Sequence, residues 1–498
     1  MSLSTLLVPL AVALVVSLLG AFAIEAAASP RAPSLRPRDL AIRAAGYALI
    51  TLFWFQFSWR PWLAASSCLL TLAILAVVDR LKRKVIGEPV VFSDLALLAQ
   101  VPRHPQLYYT LPLTDLRIAG PLLIGVATVV AWYVLEPAAL PDTAGASLLA
   151  ILGLPAGLAA LAFAGLTRPG QSALRRLFPR PDLTADVARY GLVATMMGYA
   201  LRRLGEEHAR SPLNTGGDPD DEVVVVVQLE SFLDPARLGG PELPLMPRIR
   251  AQAAQYGRLA VPAHGAYTMR AEHAVLTGLD PDLLGFGRYD PYLARKGEEP
   301  SSLARLARAA GFATVFVHPF HRDFFDRARV FRSLGFDRLV MEEDFAGAPR
   351  IGPYIADVAV AERILAEVAP VGGHAPGGRT FVFCVTMENH GPWKAGRLAG
   401  IDDPLAQYLH HVVHTGAAVE RLIDGLAGRR ATLCVFGDHA PSLPECRPPA
   451  SGPVATDYAL FRFGRDDTPS PARIDLTAAQ LGCVLRDAVF PKRTGLGG

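Results

Sequence analysis

Five apolar stretches, at roughly 5–27, 41–58, 61–79, 118–136 and 145–166, constrain this chain more than any other feature. Each comes close to the ~20 apolar residues that carry a helix across a bilayer. So many within the first third of the chain exceed what a buried globular core uses, and that third reads as an α-helical transmembrane bundle. No basic segment precedes the first stretch and four more follow it, which marks an uncleaved anchor rather than a signal peptide. Trp54, Trp59 and Trp62 surround the short turn between the second and third stretches, where an interfacial belt belongs.

The rest of the chain reads as an ordinary α/β protein, which divides it into a transmembrane domain (1–167), a juxtamembrane linker (168–222) and a catalytic domain (223–498). The linker joins an amphipathic stretch, ARYGLVATMMGYALRRL, to a turn-rich acidic tip, SPLNTGGDPDDE. The loop before the fourth span is too polar for hydrocarbon and too apolar for a plain tether. It is expected to lie along the membrane interface, where it could form part of a lipid-headgroup site. A net charge of +3 and the lack of a basic stripe interleaved with aromatics exclude nucleic acid as a partner. The five cysteines form no CxxC pair, and Cys384 and Cys434, inside apolar runs, read as buried thiols.

Basic residues gather at Arg31, Arg36, Arg38 and Arg43, at Arg80, Lys82, Arg83 and Lys84, and at Arg168, Arg175 and Arg176. With five spans these loops share one face, and the positive-inside rule assigns that face, with the C-terminal domain, to the cytoplasm.

Val223–Val227, Ala313–Val317, Phe381–Val385 and Ala431–Phe436 have the continuous apolar character of strands buried on both faces. Helical patterns lie between them: 301–311, opened by serine and closed by glycine, Ala356–Val368, and about Ala406–Leu426. The alternation predicts a mainly parallel sheet covered by helices. In such sheets ligands bind at the carboxyl ends of the strands. These four strands end on Glu230, on His318, on Glu388-Asn-His390 and on Asp438-His439. One such group alone is usually a solvated charge or a cap, but four together mark a site. Two carboxylates and a histidine suit Zn²⁺ or Mn²⁺. Thr268, just before a short helix, supplies a hydroxyl nucleophile, although taken alone it reads as a helix N-cap.

Taken together, these residues resemble the lipoteichoic acid synthase and periplasmic glucan phosphoglycerol transferase branch of the sulfatase/alkaline phosphatase superfamily. The resemblance spans nearly the whole chain. It rests on Gln228-Leu-Glu-Ser-Phe232, Tyr267-Thr-Met-Arg-Ala-Glu272, Phe324-Phe-Asp-Arg-Ala-Arg-Val-Phe331 with Leu334-Gly-Phe336, Phe436-Gly-Asp-His439, and Glu388-Asn-His-Gly-Pro-Trp393. It implies an alkaline-phosphatase-like domain with Glu230, Thr268, Asp438 and His439 as ligands of one divalent metal, Mn²⁺ before Zn²⁺ or Mg²⁺. Thr268 is then also the nucleophile, Arg327 and His390 hold the phosphate and its glycerol, and His318 lies near the substrate. Arg270 reads equally as an anion contact or an exposed helix arginine. His273 departs from an aromatic family position and reads as a substrate contact or a packing residue. Threonine in place of a modifiable cysteine or serine argues against sulfate-ester hydrolysis.

The resemblance further implies a two-step transfer of glycerophosphate from an anionic phospholipid, phosphatidylglycerol, through Thr268 to a glycan acceptor. It places the catalytic domain on the periplasmic side of a bacterial inner membrane, against the positive-inside count. A phosphoethanolamine transferase, a phosphodiesterase and an inactive lipid-sensing scaffold are the competing readings. The intact Glu230, Thr268, Asp438 and His439 set argues against the last.

Overall fold

The computed structural model describes residues 3–28, 33–97, 101–104, 107, 114–141, 143–206, 209–214, 217, 219–293, 301–369, 378–447, 455–465 and 470–490. Arg31, parts of the loop before the fourth span and parts of the acidic tip lie outside them. The chain forms two compact units: Met1–Ala99 with Tyr109–Glu207, and Gln100–Tyr108 with His208–Gly498.

In the first unit, five helices among the described residues are long and apolar enough to cross a membrane: Leu7–Ala28, Pro37–Ser58, Pro61–Val85, Leu116–Leu135 and Ala144–Leu166. The last two bury none of their residues inside the protein, as expected of surfaces solvated by lipid. The turn between the second and third helices is tightly built. Trp59 closes one helix in the left-handed conformation (φ 53°) and Pro61 opens the next. The Glu136 carboxylate accepts the free N–H groups of Trp62 and Leu63 at 2.9 and 2.8 Å, capping the third helix. Trp62 stacks on Trp132 with centroids 5.7 Å apart. The amphipathic stretch becomes two helices, Leu183–Tyr190 and Leu192–Leu204, broken at Gly191, whose φ of 80° favours glycine.

The second unit is built on one nine-stranded sheet. Five strands run parallel in the order Arg338–Val340, Ala313–Val317, Thr380–Val385, Val223–Leu229 and Ala431–Gly437. Beyond them lie Ala455–Phe463, antiparallel to both neighbours, and Gln255–Ala260. The mainly parallel sheet is as expected. The antiparallel strand is an addition that the sequence pattern did not announce. Every residue of Val223–Leu229, Thr380–Val385 and Ala431–Gly437 is buried, with helices including Asp357–Glu367 and Pro404–Leu426 packed on the sheet. These central strands deliver the charged residues that follow them to one edge.

Candidate active site

The strand Val223–Leu229 pairs in register with Ala431–Gly437, so Glu230 and Asp438 emerge side by side. Gly437 is required there, because a Cβ would meet the Phe232 carbonyl oxygen at 2.0 Å. Glu230, Asp438 and His439 each offer a ligand atom within 4.8 Å of the others, and all three are buried. His439 Nε2 lies 3.5 Å from Glu230 Oε1 and 3.4 Å from Asp438 Oδ2. The outer oxygens are held: Asp438 Oδ1 accepts the N–H groups of Ser231 (2.8 Å) and His439 (2.9 Å), and the Ser231 hydroxyl donates to Glu230 Oε1 at 2.8 Å. Glu230 Oε2 and Asp438 Oδ2 have no hydrogen-bond partner. Burial, and then the neighbouring Asp438 charge, push the Glu230 carboxyl up to about 8. Buried carboxylate oxygens without donors are costly unless a cation meets them. The donor set therefore fits one divalent ion.

Thr268 is the first residue of the helix Thr268–Thr277, not its cap. Tyr267 holds the cap position in the left-handed conformation (φ 64°), with no side-chain cap bond. The capping role that a lone threonine suggests is therefore not the one Thr268 has. The loop before it is joined to the metal-ligand strands twice. Gln228 Nε2 donates to the Thr268 carbonyl at 3.4 Å, and Gly265 N–H donates to the Ala440 carbonyl at 2.9 Å.

Arg327, His318 and His390 come from the other flank. Arg327 Nη1 donates to Glu272 Oε2 at 2.7 Å, both side chains nearly inaccessible, while Arg327 Nε lacks a partner. The Arg327 charge bears on Glu230, His318 and His390 alike. His318 Nδ1–H donates to the Val385 carbonyl at 3.0 Å, leaving Nε2 buried without a partner. Burial holds His318 well below the ordinary histidine range, so it is neutral. Burial likewise lowers His390 to about 4; its Nδ1–H donates to the Gly391 carbonyl at 2.6 Å and its ring meets Tyr354 edge-on at 5.9 Å. In this tautomer Nε2 carries a lone pair.

Two further residues of the helix Thr268–Thr277 are buried. Arg270 is not exposed: its Nε donates to the Tyr289 carbonyl at 3.0 Å and its guanidinium lies 4.0 Å from the Tyr267 ring centroid. His273 is fully buried, with its ring 5.7 Å from that of Tyr292. Sequence reasoning passed over Glu272, Ser231, Asn389 and His264. The first three sit inside recognised motifs but reveal their partners only in three dimensions. His264, four residues before Thr268, is buried with neither ring nitrogen bonded and is lowered to about 4, chiefly by burial.

The family description "Sulfatase" matches residues 222–470. The chain is 33% identical over 484 residues to the capsular polysaccharide biosynthesis protein RkpI of Rhizobium meliloti (strain 1021), covering 92% of this chain and 89% of that one.

The chain belongs to the sulfatase family.

It is thereby placed in the sulfatase/alkaline phosphatase superfamily, whose members are phosphotransferases or hydrolases that use a divalent metal. A putative cyclic beta-1,2-glucan modification protein of the same Rhizobium strain is 30% identical over 275 residues, covering 52% of this chain and 42% of that protein. Among solved structures, the integral membrane lipooligosaccharide phosphoethanolamine transferase A of Neisseria meningitidis shares the fold of the whole chain, membrane helices included. Its TM-score is 0.54, with 14% identity, over 98% of this chain and 96% of that one. The Streptococcus pyogenes phosphoglycerol transferase GacH, solved with sn-glycerol-1-phosphate, overlaps 55% of this chain and 77% of its own at 19% identity and a TM-score of 0.43. The protein is thus a member of this superfamily that carries five helices long and apolar enough to cross a membrane among its described residues.

Proposed function

We propose that this protein is a membrane phosphotransferase that moves glycerophosphate from phosphatidylglycerol to a periplasmic or cell-surface glycan through a Thr268-linked intermediate. The observation that carries the reading is the buried Glu230, Asp438 and His439 group, with orphaned carboxylate oxygens, stapled to the loop that presents Thr268. Glu230, Asp438, His439 and the Thr268 hydroxyl would hold one divalent ion. Mn²⁺ is the first choice, with Zn²⁺ or Mg²⁺ as alternatives, and the ion would supply positive charge to offset that on the phosphoryl oxygens.

In the first step Thr268 Oγ attacks phosphorus, the bond from phosphorus to the diacylglycerol oxygen breaks, and the hydroxyl proton of Thr268 ends on that oxygen. In the second, an acceptor hydroxyl attacks, the phosphorus–Oγ bond breaks and Thr268 regains a proton. Arg327 and His318 line the phosphoryl group, and Arg327 supplies fixed positive charge as negative charge spreads over the oxygens. Neutral His390, with its lone pair on Nε2, can take the proton of the acceptor hydroxyl. It has no proton at Nε2 to give, so it acts as base in the second step rather than acid in the first.

The catalytic unit is read as facing the periplasm. Residues 101–104 and 107, from the loop between the third and fourth spans, belong to the catalytic unit, where the His104 ring lies 5.5 Å from Phe320 and from Phe324. Five crossings put that loop and the C-terminal unit on one face. Of the basic residues that argued for a cytoplasmic face, three pair within the bundle: Arg43 with Glu25 (3.0 Å), Lys82 with Asp94 (2.7 Å) and Arg83 with Asp79 (2.6 Å). Those three act as structural partners, whereas Arg36, Arg38, Arg80, Lys84, Arg168, Arg175 and Arg176 are exposed and are read as contacts for anionic headgroups rather than as markers of orientation. A glycan acceptor is consistent with relatives named for capsular polysaccharide biosynthesis and glucan modification.

Mass spectrometry of the Thr268 peptide after incubation with phosphatidylglycerol tests the reading. A glycerophosphoryl adduct, absent in Thr268→Ala, is expected. An ethanolamine phosphate adduct with phosphatidylethanolamine alone would reassign the donor, and transfer activity surviving in Thr268→Ala would remove the intermediate.

A further inference from the structure

Directly behind His390 lies a second buried carboxylate, Glu388, that the transfer chemistry does not use. It leaves the end of the central strand Thr380–Val385 with its side chain fully buried and turned toward the helices. Glu388 Oε1 accepts Nδ1–H of both His411 (3.1 Å) and His414 (3.0 Å). Glu388 Oε2 accepts the N–H of Asp357, the first residue of the helix Asp357–Glu367, so the carboxylate also meets the positive end of that helix. Asp357 Oδ2 accepts from the Thr415 hydroxyl at 2.7 Å. Burial and the adjacent Glu388 charge raise Asp357 to about 8, so the pair carries one negative charge at neutral pH, on Glu388. The backbone on either side is clamped as well. Arg397 donates to the carbonyls of Glu388 (3.2 Å), His390 (2.6 Å) and Pro392 (3.2 Å). On the other side, Asn389 Nδ2 donates to the Glu230 carbonyl at 3.3 Å.

Apart from the bond between Thr415 and Asp357, every one of these bonds ends on the short segment that bears His390. A carboxylate receiving two imidazole donors and a helix N-terminus can sit in only one place, and the backbone it belongs to is then fixed. We infer that Glu388 is a positioning residue for the transfer reaction, holding the Asn389–His390 segment against the strand that bears Glu230. His411 and His414 serve as its anchors on the helix Pro404–Leu426. The inference rests on the proposed contact of His390 with the reacting groups.

The test uses the full-length protein in detergent with phosphatidylglycerol, comparing wild type, E388Q, H390A and the double variant. The E388Q substitution keeps the shape of the side chain but presents an amide donor to the two imidazoles. Turnover in E388Q is expected to fall about 10- to 100-fold, the range for a misplaced reacting group. Bound metal should stay at the wild-type level. Because Glu388 acts through His390, the double variant should be no worse than H390A alone. His414, whose side chain is 32% exposed, provides a milder variant. H414A removes one donor and should show a smaller loss of the same kind, even if E388Q does not fold. Wild-type turnover in E388Q, or in H414A if E388Q is unfolded, overturns the inference. So do multiplied losses in the double variant, or metal lost from E388Q. Undiminished turnover in H390A removes the role of His390 and this inference with it, whereas a crippled H390A beside a healthy E388Q removes this inference alone. If wild type forms no adduct with phosphatidylglycerol, the same comparison on bis(p-nitrophenyl) phosphate hydrolysis tests the positioning apart from the donor.

Discussion

Two buried clusters of carboxylates and histidines sit at neighbouring strand ends, and they are built to opposite rules. In one, Glu230, Asp438 and His439 converge while Glu230 Oε2 and Asp438 Oδ2 have no donor. In the other, both oxygens of Glu388 are satisfied by His411, His414 and the Asp357 N–H, and Asp357 is neutral. The first cluster leaves a carboxylate oxygen on each of its two acids without a donor; in the second the central carboxylate is fully supplied, although Asp357 Oδ1 and His411 Nε2 are without partners. The same residue types thus serve as a ligand cradle or as a frame, and what separates them is whether donors were already supplied.

Metal removal gives the largest contrast. Chelation should cost several kcal/mol of transition-state stabilisation, a loss of roughly a thousandfold or more in turnover, restored by Mn²⁺ or Zn²⁺. The unfolding midpoint should rise when metal is returned. A turnover indifferent to chelators would break the comparison at its root.

Removing a carboxylate should then act differently on the two clusters in metal-free protein. Glu388→Ala strips two imidazoles and a helix N-terminus of their acceptor and should destabilise by about 3–5 kcal/mol, read by denaturant unfolding. Glu230, raised to about 8, is already protonated at neutral pH without metal, so Glu230→Gln should leave the stability of the metal-free protein nearly unchanged while losing the stabilisation that metal confers. Equal destabilisation by both would show that the two clusters do not differ.

Acid separates them more gently. Half-buried His390 and buried His264 are lowered to about 4 from an ordinary value of 6.5, so the unfolded chain binds protons that the folded chain refuses. The contribution of these two histidines is flat above about pH 6.5 and should fall as pH drops toward about 4, while Glu230 and Asp357, raised to about 8, act oppositely and lose stability as pH rises toward 8, so the histidine part is read as the difference between wild type and variant. Melting curves of metal-free protein should show a shallower decline in a His390→Gln, His264→Gln variant. The smallest effect is expected at Asp357. Since its carboxyl is already neutral, Asp357→Asn should shift stability by less than about 1 kcal/mol. A larger loss would mean that Asp357 is charged.

Much of the fold was legible because its signals are local. Apolar runs of bilayer length and valine-rich strands ending in charged residues can be read from consecutive positions. Ala455–Phe463 and Gln255–Ala260 were not legible as strands: their apolar residues are interrupted by Asp457, Gly257 and Arg258, and long-range pairing holds them in the sheet. The N-cap that threonine chemistry suggested at Thr268 belongs instead to Tyr267, whose left-handed backbone follows from the loop pinned by Gly265 and Ala440.

The sequence by itself determined that a membrane bundle precedes a mainly parallel sheet, and which residue types stand at the strand ends. Tertiary structure alone decided what those residues do. Glu230 met Asp438 and His439, more than 200 positions away, and was left short of donors. Glu388 met His411, His414 and Asp357 and was not. Whether a buried polar atom is satisfied depends on neighbours that folding brings from distant parts of the chain, and no local pattern records them.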